Sequence, residues 1–393
     1  METRTIFLSD KTVVSSVKKD GKMFARKTIY NDGSFGGLFE ADILSRTLHP
    51  NIIGLYAVSM TSLEVFLDME LAETDLKQYI ARLGSRGGRT SPTPEETDII
   101  YGVACGLEYL HAQHIIHRDI KPANILLVKG VPKICDFDIA KVYAPDINRN
   151  LVCAEHVTLS YRAPELMCED YYGAAIDMWS FGLCIVELVT GHTLVNGGSE
   201  EGCLEDIVAR IGPLTRNQRR SPRALSSQRV SPRNAPHHSI AGLTSEWKEY
   251  VQGLLDTDPV TRLTATQARE WSLFSARVPP QGKPAMHYLN QDMKSIPDTF
   301  YSTSLKLLNQ FMNAHGLYSI DYPYTTLFAS TVLARYEAAT GRPTTLATVR
   351  TAFTIALVVA EEKTLTPIGV YESNFDNILE MVGKLNFKLV CYT

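Results

Sequence analysis

The sequence has few cysteines and no long apolar run, the features that mark disulfide-rich and membrane-spanning proteins. Only seven of its 393 residues are cysteine, and they are scattered without paired metal-ligand spacing. This pattern argues against a disulfide scaffold or a zinc site and indicates reduced thiols in an intracellular protein. The most apolar run, residues 353–360, is too short to span a bilayer. The start, Met1-Glu2-Thr3-Arg4, has no long apolar segment, so no signal peptide is predicted.

A large excess of one charge is also missing. The 39 basic and 43 acidic residues give a net charge of −4, so we expect neither nucleic acid nor a membrane surface as partner. One local exception is a basic, Ser/Pro-rich segment at residues 216–234 with six arginines. A mobile surface loop is its simplest interpretation. A nuclear-import patch, or a pair of proline-directed phosphorylation sites at Ser221 and Ser231, stays open as an alternative.

What the chain does contain is concentrated in residues 117–138. They read His-Arg-Asp-Ile-Lys-Pro-Ala-Asn up to Asn124, then an apolar strand, and then Asp136-Phe137-Asp138. This order resembles the catalytic core of the eukaryotic protein kinases, with its His-Arg-Asp loop and its metal-binding Asp-Phe-Gly turn. A polar turn between two apolar strands is the alternative, but eight ordered matches by chance are improbable.

The resemblance implies a role for each polar residue of this stretch, because phosphoryl transfer needs positioning and charge neutralisation more than covalent chemistry. Asp119 would accept or orient the proton of the substrate hydroxyl, and Lys121 would steady the transferred phosphate. Asn124 and Asp136 would hold Mg²⁺ against the phosphate oxygens. One departure is Asp138, which stands where the family has glycine.

The preceding residues supply an expected partner pair for ATP. Strand-like alternation in residues 24–29 places Lys27 where the family's lysine contacts the α- and β-phosphates. Helical spacing in residues 38–48 places Glu40 nine residues before His49, as the family's carboxylate is. We therefore expect an ion pair between Lys27 and Glu40.

Two other stretches concern the nucleotide. Residues 65–72 predict a buried strand and a hinge, where by resemblance Met69 guards the adenine pocket and backbone groups of Glu70 and Ala72 bond the adenine edge. The family's glycine-rich loop should fall near residues 7–14, which contain no glycine. Glycine there lets backbone N–H groups approach the phosphates without a Cβ in the way, so a shorter, less clamping loop is expected.

Residues 157–165, Val-Thr-Leu-Ser-Tyr-Arg-Ala-Pro-Glu, look most like the corresponding segment of cyclin-dependent kinases. In that group the arginine of this motif helps to form a pocket for proline, so Arg162 suggests a Ser/Thr-Pro preference. Lys121 favours Ser/Thr over Tyr as the acceptor. Counting back from Thr158, the position of the activating phosphothreonine is Cys153, so we expect activation by protein contacts instead.

Two structural contacts follow from the same resemblance. Asp177, in the run Asp-Met-Trp-Ser-Phe-Gly, matches the residue whose carboxylate bonds the catalytic-loop backbone. Arg262 matches the arginine that pairs with Glu165.

The last third of the chain has a helical pattern. We predict helices at residues 299–315, 324–340, 345–363 and 375–385. The third is apolar nearly all round, which is typical of the centre of a bundle. Residues 326–336, 356–362 and 377–389 are similar to the second, third and fifth helices of a cyclin box. An unrelated helical extension is the alternative, because cyclin boxes are defined by apolar pattern more than by signature residues.

The predicted fold is therefore an α+β bilobal protein-kinase fold followed by an all-α cyclin-like helical domain. The β-rich N-lobe covers residues 1–72, the α-rich C-lobe 73–278, the linker 279–298 and the cyclin-like domain 299–393. The implied function is an ATP- and Mg²⁺-dependent Ser/Thr kinase, cytoplasmic or nuclear, acting on Ser/Thr-Pro sites and activated in cis by its cyclin-like module. A pseudokinase-type scaffold that binds nucleotide and recruits partners is the alternative.

Overall fold

The computed structural model describes two compact units. The structure describes two sets of residues. The first is residues 2–281 except 20, 31–35, 62–63, 85–88, 143–157, 169–171, 222–223 and 225–237, and the second is a few residues between 310 and 352. The first unit contains the described residues of 1–48, 54–71 and 283–393. The second contains those of 49–53 and 72–282. No helix in the described part is long and apolar enough to cross a membrane.

The first unit is built on a five-stranded antiparallel sheet with strand order β1-β2-β3-β5-β4. The strands are β1, Glu2–Leu8; β2, Thr12–Lys19; β3, Lys22–Tyr30; β4, Leu55–Met60; and β5, Glu64–Met69. Helix α1, Gly36–Arg46, follows β3. Strands β2 and β3 form a hairpin, in which Lys19 pairs with Lys22 and Gly21 has a φ of +76°.

Strand β3 is held in register by side chains on the face opposite Lys27. Arg26 binds both carboxylate oxygens of Asp68 on β5, at 2.6 and 2.7 Å. Its guanidinium also lies 5.6 Å from the Phe24 ring centroid and 5.5 Å from that of Phe66. Because neighbouring strand residues point to opposite faces, this anchoring leaves Lys27 on the other, buried face.

The second unit is mainly helical. Its helices are α2, Leu76–Leu83; α3, Pro94–Ala112; α4, Pro164–Met167; α5, Ala175–Thr190; α6, Glu200–Arg210; α7, His238–Ala241; α8, Ser245–Leu254; and α9, Ala265–Arg269. Its short strands are β6, Thr74–Asp75; β7, Ile115–Ile116; β8, Ile125–Val128; β9, Val131–Ile134; and β10, Lys141–Val142. They form a three-stranded sheet, β6-β8-β9, and a two-stranded sheet, β10-β7. The expected sheet half followed by a helical half is thus confirmed.

Helix α3 carries the chain to the catalytic loop. A reciprocal capping box between Thr93 and Glu96, with Pro94 at the first helical position, explains where it begins. Gly102 faces β9 so closely that a Cβ there would lie 2.5 Å from Pro132 Cγ and 2.7 Å from Asn51 Nδ2. The missing side chain lets α3 pack directly on β9, the strand that ends just before Cys135 and Asp136.

Helix α5 is apolar and almost wholly buried, as its composition predicts. It ends at Gly191, whose φ of +78° gives the left-handed C-cap that glycine adopts without strain. The one carboxylate in its first turn is Asp177, which is buried.

The C-terminal region is described at few positions. Ala329, Val332, Leu333 and Tyr336 are helical and buried, and their spacing of three, four and seven residues places them on one helix face. Thr345 and Thr348 exchange hydrogen bonds of 2.7 and 3.2 Å at the start of a helical segment. Both positions agree with the predicted helices at 324–340 and 345–363. The helix predicted at 375–385, and nearly all of 299–315, lie outside the described residues.

Candidate active site

Lys27 and Glu40 form the predicted ion pair in the first unit. The Lys27 Nζ atom lies 2.7 Å from Glu40 Oε2, and the residues are 8% and 1% exposed. A buried charge without a partner costs several kcal/mol, so each of these groups depends on the other. The pair therefore ties α1 to β3 at the position where the sequence expected it.

The end of β5 holds the residues expected around adenine. Met69 is buried and lies opposite Ala25 and Leu55 in the sheet. The Glu70 N–H donates to the Gly54 carbonyl at 2.9 Å, and the Glu70 carboxylate accepts the Gly54 N–H at 3.1 Å. These two hydrogen bonds fix the backbone where the predicted hinge begins. Their role in nucleotide binding, like that of Ala72, stays a prediction.

The connection between β1 and β2 is a tight turn from Ser9 to Thr12. The Ser9 N–H donates to the Thr12 carbonyl at 2.9 Å, and the Thr12 N–H donates to the Ser9 hydroxyl at 3.1 Å. Left-handed backbone occurs at none of its residues, all of which the structure describes. Side-chain capping thus replaces glycine in this turn, in keeping with the expected shorter loop.

In the second unit, the Asp119 carboxylate is the centre of a closed polar network. Its Oδ2 accepts from Lys121 Nζ at 2.5 Å and from Asn124 Nδ2 at 2.9 Å. Its Oδ1 accepts from the Thr158 hydroxyl at 2.8 Å. Lys121 also donates to the Thr158 hydroxyl at 3.0 Å. The sequence-predicted residues Asp119, Lys121 and Asn124 are therefore brought together, with Asp119 held in one orientation.

Thr158 is the site residue that sequence reasoning missed. The motif that contains it served to locate Cys153, but nothing in the pattern showed that its hydroxyl reaches Asp119, 39 residues earlier. The only sequence signal for this role is that Thr158 carries a hydroxyl at the start of the motif 157–165, four residues before Arg162. Cys153 itself lies outside the described residues.

Asn124 and Asp136 have the chemistry of Mg²⁺ ligands. The Asn124 Nδ2 donates to both the carbonyl and the carboxylate of Asp119, each at 2.9 Å, which turns its Oδ1 away from Asp119. Asp136 has a φ of +69°, an uncommon backbone for a residue other than glycine, and follows directly after β9 and Cys135. No cluster of three or more His, Cys, Asp and Glu suited to a metal occurs in the described chain. Mg²⁺ commonly uses one or two protein oxygens plus substrate phosphates, so an Asn–Asp pair fits it.

Asp177 fixes the backbone of the catalytic loop from α5. Its carboxylate accepts the N–H groups of His117 and Arg118, each at 2.9 Å, and lies 2.9 Å from His111 Nε2. Burial alone would raise the pKa of Asp177, but the bonds and charge from His111 and His117 hold it below its ordinary value. The predicted contact is confirmed, and it supports Arg118 in a left-handed conformation with a φ of +69°.

The segment after Thr158 is anchored by ion pairs. Arg262 binds both oxygens of the fully buried Glu165 at 2.6 and 2.9 Å, which confirms the predicted pair. Arg162 forms an ion pair with Glu200, the first residue of α6. The Tyr161 hydroxyl donates to Glu187 at 2.6 Å. This anchoring holds the peptide bonds next to Thr158 in place.

Comparison with known proteins places these contacts in a family. Residues 11–274, more than half of the chain, match the protein kinase domain. Cell division control protein 2 homolog 3 of Trypanosoma brucei brucei is 37% identical over 199 residues, 49% of this chain and 62% of that protein. Cyclin-dependent kinase 11.1 of Caenorhabditis elegans is 28% identical over 264 residues, 63% of this chain and 36% of that protein. This chain thus covers less than two thirds of either relative. It belongs to the protein kinase domain family and is distantly similar to cyclin-dependent kinases.

Proposed function

We propose that this chain is an active, ATP- and Mg²⁺-dependent protein Ser/Thr kinase. Asp119 orients the substrate hydroxyl and takes up its proton, Lys121 steadies the transferred phosphate, and Asn124 and Asp136 hold Mg²⁺. Lys27, positioned by Glu40, contacts the nucleotide phosphates, while Met69 and the backbone of Glu70 and Ala72 receive adenine.

The observation that carries this proposal is the network around Asp119. The carboxylate accepts hydrogen bonds from the side chains of Lys121, Asn124 and Thr158, so it is held in one orientation. A scaffold that only binds partners has no need of a carboxylate, an ammonium and an amide arranged in this way. Orientation of this kind is what general-base catalysis requires.

Substrate choice and activation are further parts of the proposal. We infer a preference for Ser/Thr followed by proline from Arg162, whose guanidinium is held by Glu200. Residues 299–393 act as a cyclin-like module in cis on the unit that carries α1. In support, the described residues between 310 and 352 group with that unit. Cys153 at the usual phosphosite makes activation by contact, rather than by phosphate, the consistent route.

A nucleotide-binding scaffold is the second candidate, and the turn from Ser9 to Thr12 favours it. This turn has no glycine, and Asp10 places a carboxylate where the family's loop covers the phosphates. Asp138 in place of the family's glycine points the same way. We favour the enzyme because every other residue expected to bind nucleotide, Mg²⁺ or the substrate hydroxyl is present. These residues are Lys27, Glu40, Asp119, Asn124 and Asp136.

Transfer of the ATP γ-phosphate to a Ser-Pro peptide tests the proposal. We expect Asp119→Asn to lower kcat by about 10²–10⁴-fold with nucleotide affinity retained, because only the hydroxyl acceptor is lost. Asp136→Asn should abolish transfer through loss of Mg²⁺. If both variants matched the unmodified chain, the measured transfer would come from a contaminant and the scaffold would be the better description.

A further inference from the structure

The basic segment begins as an anchored turn. We call residues 215–221 the arginine turn. Gln218 is 1% exposed: its side chain accepts the Thr215 N–H at 2.9 Å and donates to the Thr257 carbonyl at 2.8 Å. The Thr257 hydroxyl in turn donates to the Pro213 carbonyl at 2.7 Å. Ser221 is buried as well. The described start of the basic segment is therefore anchored, while residues 225–234, most of the predicted loop, lie outside the described residues.

The same turn directs its arginines outward. Arg216, Arg219 and Arg220 are all exposed, while Gln218 between them is buried. Within the described chain, neither Arg216 nor Arg220 makes a side-chain hydrogen bond or an ion pair. A fixed backbone thus presents three exposed arginine side chains within five residues of the chain.

The surrounding sequence makes this the most basic part of the chain. Residues 207–245 contain seven arginines and no lysine, aspartate or glutamate. Since the whole chain carries −4, the remainder carries −11. Residues 207–245 thus contain no carboxylate that would oppose an approaching anion. Asp256 and Asp258, which flank the turn's partner Thr257, accept hydrogen bonds from Thr261 and from backbone N–H groups. The exclusive use of arginine also matters, because its planar fork binds phosphate through two parallel hydrogen bonds.

We propose that the arginine turn is a docking site for a phosphoserine or phosphothreonine already present on the protein substrate. The proposal rests on the proposed kinase function and defines its substrate class as proteins phosphorylated at more than one site. Phosphate held here keeps the substrate bound while another hydroxyl reaches Asp119. A phosphate also suits several guanidinium groups better than a single carboxylate does, because it carries more charge and more acceptor oxygens.

Nucleic acid is the competing polyanion, and the sequence disfavours it. Single-stranded nucleic acid is commonly bound by aromatic side chains on which bases stack. Residues 207–245 contain no phenylalanine, tyrosine or tryptophan. The net negative charge of the remaining chain also opposes a long phosphate backbone.

Fluorescence anisotropy with the full chain in the absence of ATP tests the docking site. Labelled peptides of one sequence carry serine, phosphoserine or glutamate at one position, and an RNA oligonucleotide serves as fourth ligand. We expect the phosphoserine peptide to bind at least about tenfold more tightly than the serine peptide. The double variant Arg216→Gln/Arg220→Gln should remove this difference. The matched variant Arg4→Gln/Arg82→Gln, which changes two other exposed arginines, should keep it.

Because the assay contains no ATP and needs no turnover, its result is independent of whether the chain transfers phosphate. Equal binding of the serine and phosphoserine peptides would overturn the docking site and leave the kinase proposal intact. Equal binding of the glutamate and phosphoserine peptides would overturn phosphate recognition and show that the turn binds acidic peptides in general. If RNA bound more tightly than the phosphoserine peptide, and the same double variant lost this binding, the ligand of the turn would be nucleic acid and the phosphoprotein proposal would be overturned. Circular dichroism of both double variants confirms that they are folded.

Discussion

One hydroxyl group connects Asp119 and Lys121 of the catalytic loop. Thr158 donates to Asp119 Oδ1 and accepts from Lys121, so it sits between a carboxylate and an ammonium. The residues that follow it are also held in place, for example by the Ser180 hydroxyl, which donates to the Tyr161 carbonyl at 2.8 Å. The orientation of Asp119 thus depends on a segment far along the chain as well as on its own loop.

We predict that Thr158→Ala lowers kcat for peptide phosphorylation about 10- to 100-fold, because a hydrogen bond to a charged group contributes about 1.5–3 kcal/mol. Thr158→Ser retains the hydroxyl and should keep most of the activity. ATP affinity, measured by titration calorimetry, should change little in either variant. Equal losses in the two variants would show that the methyl group, rather than the hydroxyl, is what matters.

The buried histidine His49 has a lowered pKa. Its Nδ1 accepts the Asn51 N–H at 3.1 Å, its Nε2 lies 3.3 Å from the Pro280 carbonyl, and its ring stacks on Tyr109. Burial lowers the pKa of His49 below its ordinary value of 6.5, and the bond to Pro280 offsets part of this effect. The folded chain therefore binds a proton at His49 less readily than the unfolded chain does.

This difference gives a pH dependence with a definite sign. Because the unfolded state binds more protons, the free energy of unfolding should fall as the pH drops below about 6.5. We expect His49→Gln to flatten this decrease in urea unfolding at pH 7.5 and 5.5. The control His192→Gln, at an exposed histidine, should retain it. A slope unchanged by His49→Gln would assign the effect to other groups.

At the scale of single elements, α3 shows packing overriding helix propensity. Gly106 repeats the arrangement of Gly102 one turn later, where a Cβ would lie 3.0 Å from the Asn51 carbonyl oxygen and from Ile134 Cδ1. Glycine inside a helix costs about 1 kcal/mol relative to alanine. Two such residues on one face are explained by the close approach to β9, which positions Asp136.

We predict that Gly102→Ala lowers the free energy of unfolding by about 1–3 kcal/mol, because the new Cβ would overlap Pro132 and Asn51. Helix propensity alone predicts the opposite sign. The control is Gly173→Ala, where a Cβ would meet nothing within 4 Å, and a change within about 0.5 kcal/mol is expected. Stabilisation by Gly102→Ala in chemical unfolding would mean that α3 shifts outward without cost.

The sequence predicted contacts that depend on local spacing and motif identity, and missed those that depend on distant packing. The pairs Lys27–Glu40 and Arg262–Glu165 followed from residue identity at family positions. The bond from the Thr158 hydroxyl to Asp119 could not be predicted, because it depends on how the chain around Thr158 packs against a loop 39 residues earlier. Likewise, nothing in the composition of residues 216–221 showed that Gln218 would be buried and would order the turn, since its partner Thr257 lies 39 residues away.

At the scale of the whole chain, the proposed activation in cis can be tested by truncation. We predict that a fragment of residues 1–284 folds and binds nucleotide but transfers phosphate much more slowly than the full chain. Adding residues 285–393 as a separate fragment should restore part of the activity at high concentration. Tethering gives an effective concentration on the order of millimolar, so once the chain is cut a weak interaction forms only with an excess of the added fragment.

Peptide phosphorylation by the full chain, the fragment and the recombined pieces is the measurement. Thermal unfolding and nucleotide titration of the fragment establish that it is folded. A fragment as active as the full chain would assign residues 285–393 to recruitment of partners instead.

The contact between His49 and Pro280 also bears on how this protein should be divided for experiments. The match to the kinase family ends at residue 274, yet Pro280 lies beyond that boundary and bonds a histidine that sits 231 residues earlier. A chain cut at the family boundary would leave a buried imidazole without its carbonyl partner, and such losses cost about 1–3 kcal/mol. A fragment meant to keep this contact should therefore extend at least to Pro280, beyond the residues that match the family. Reduced stability of a shorter piece would then reflect the lost bond to the Pro280 carbonyl.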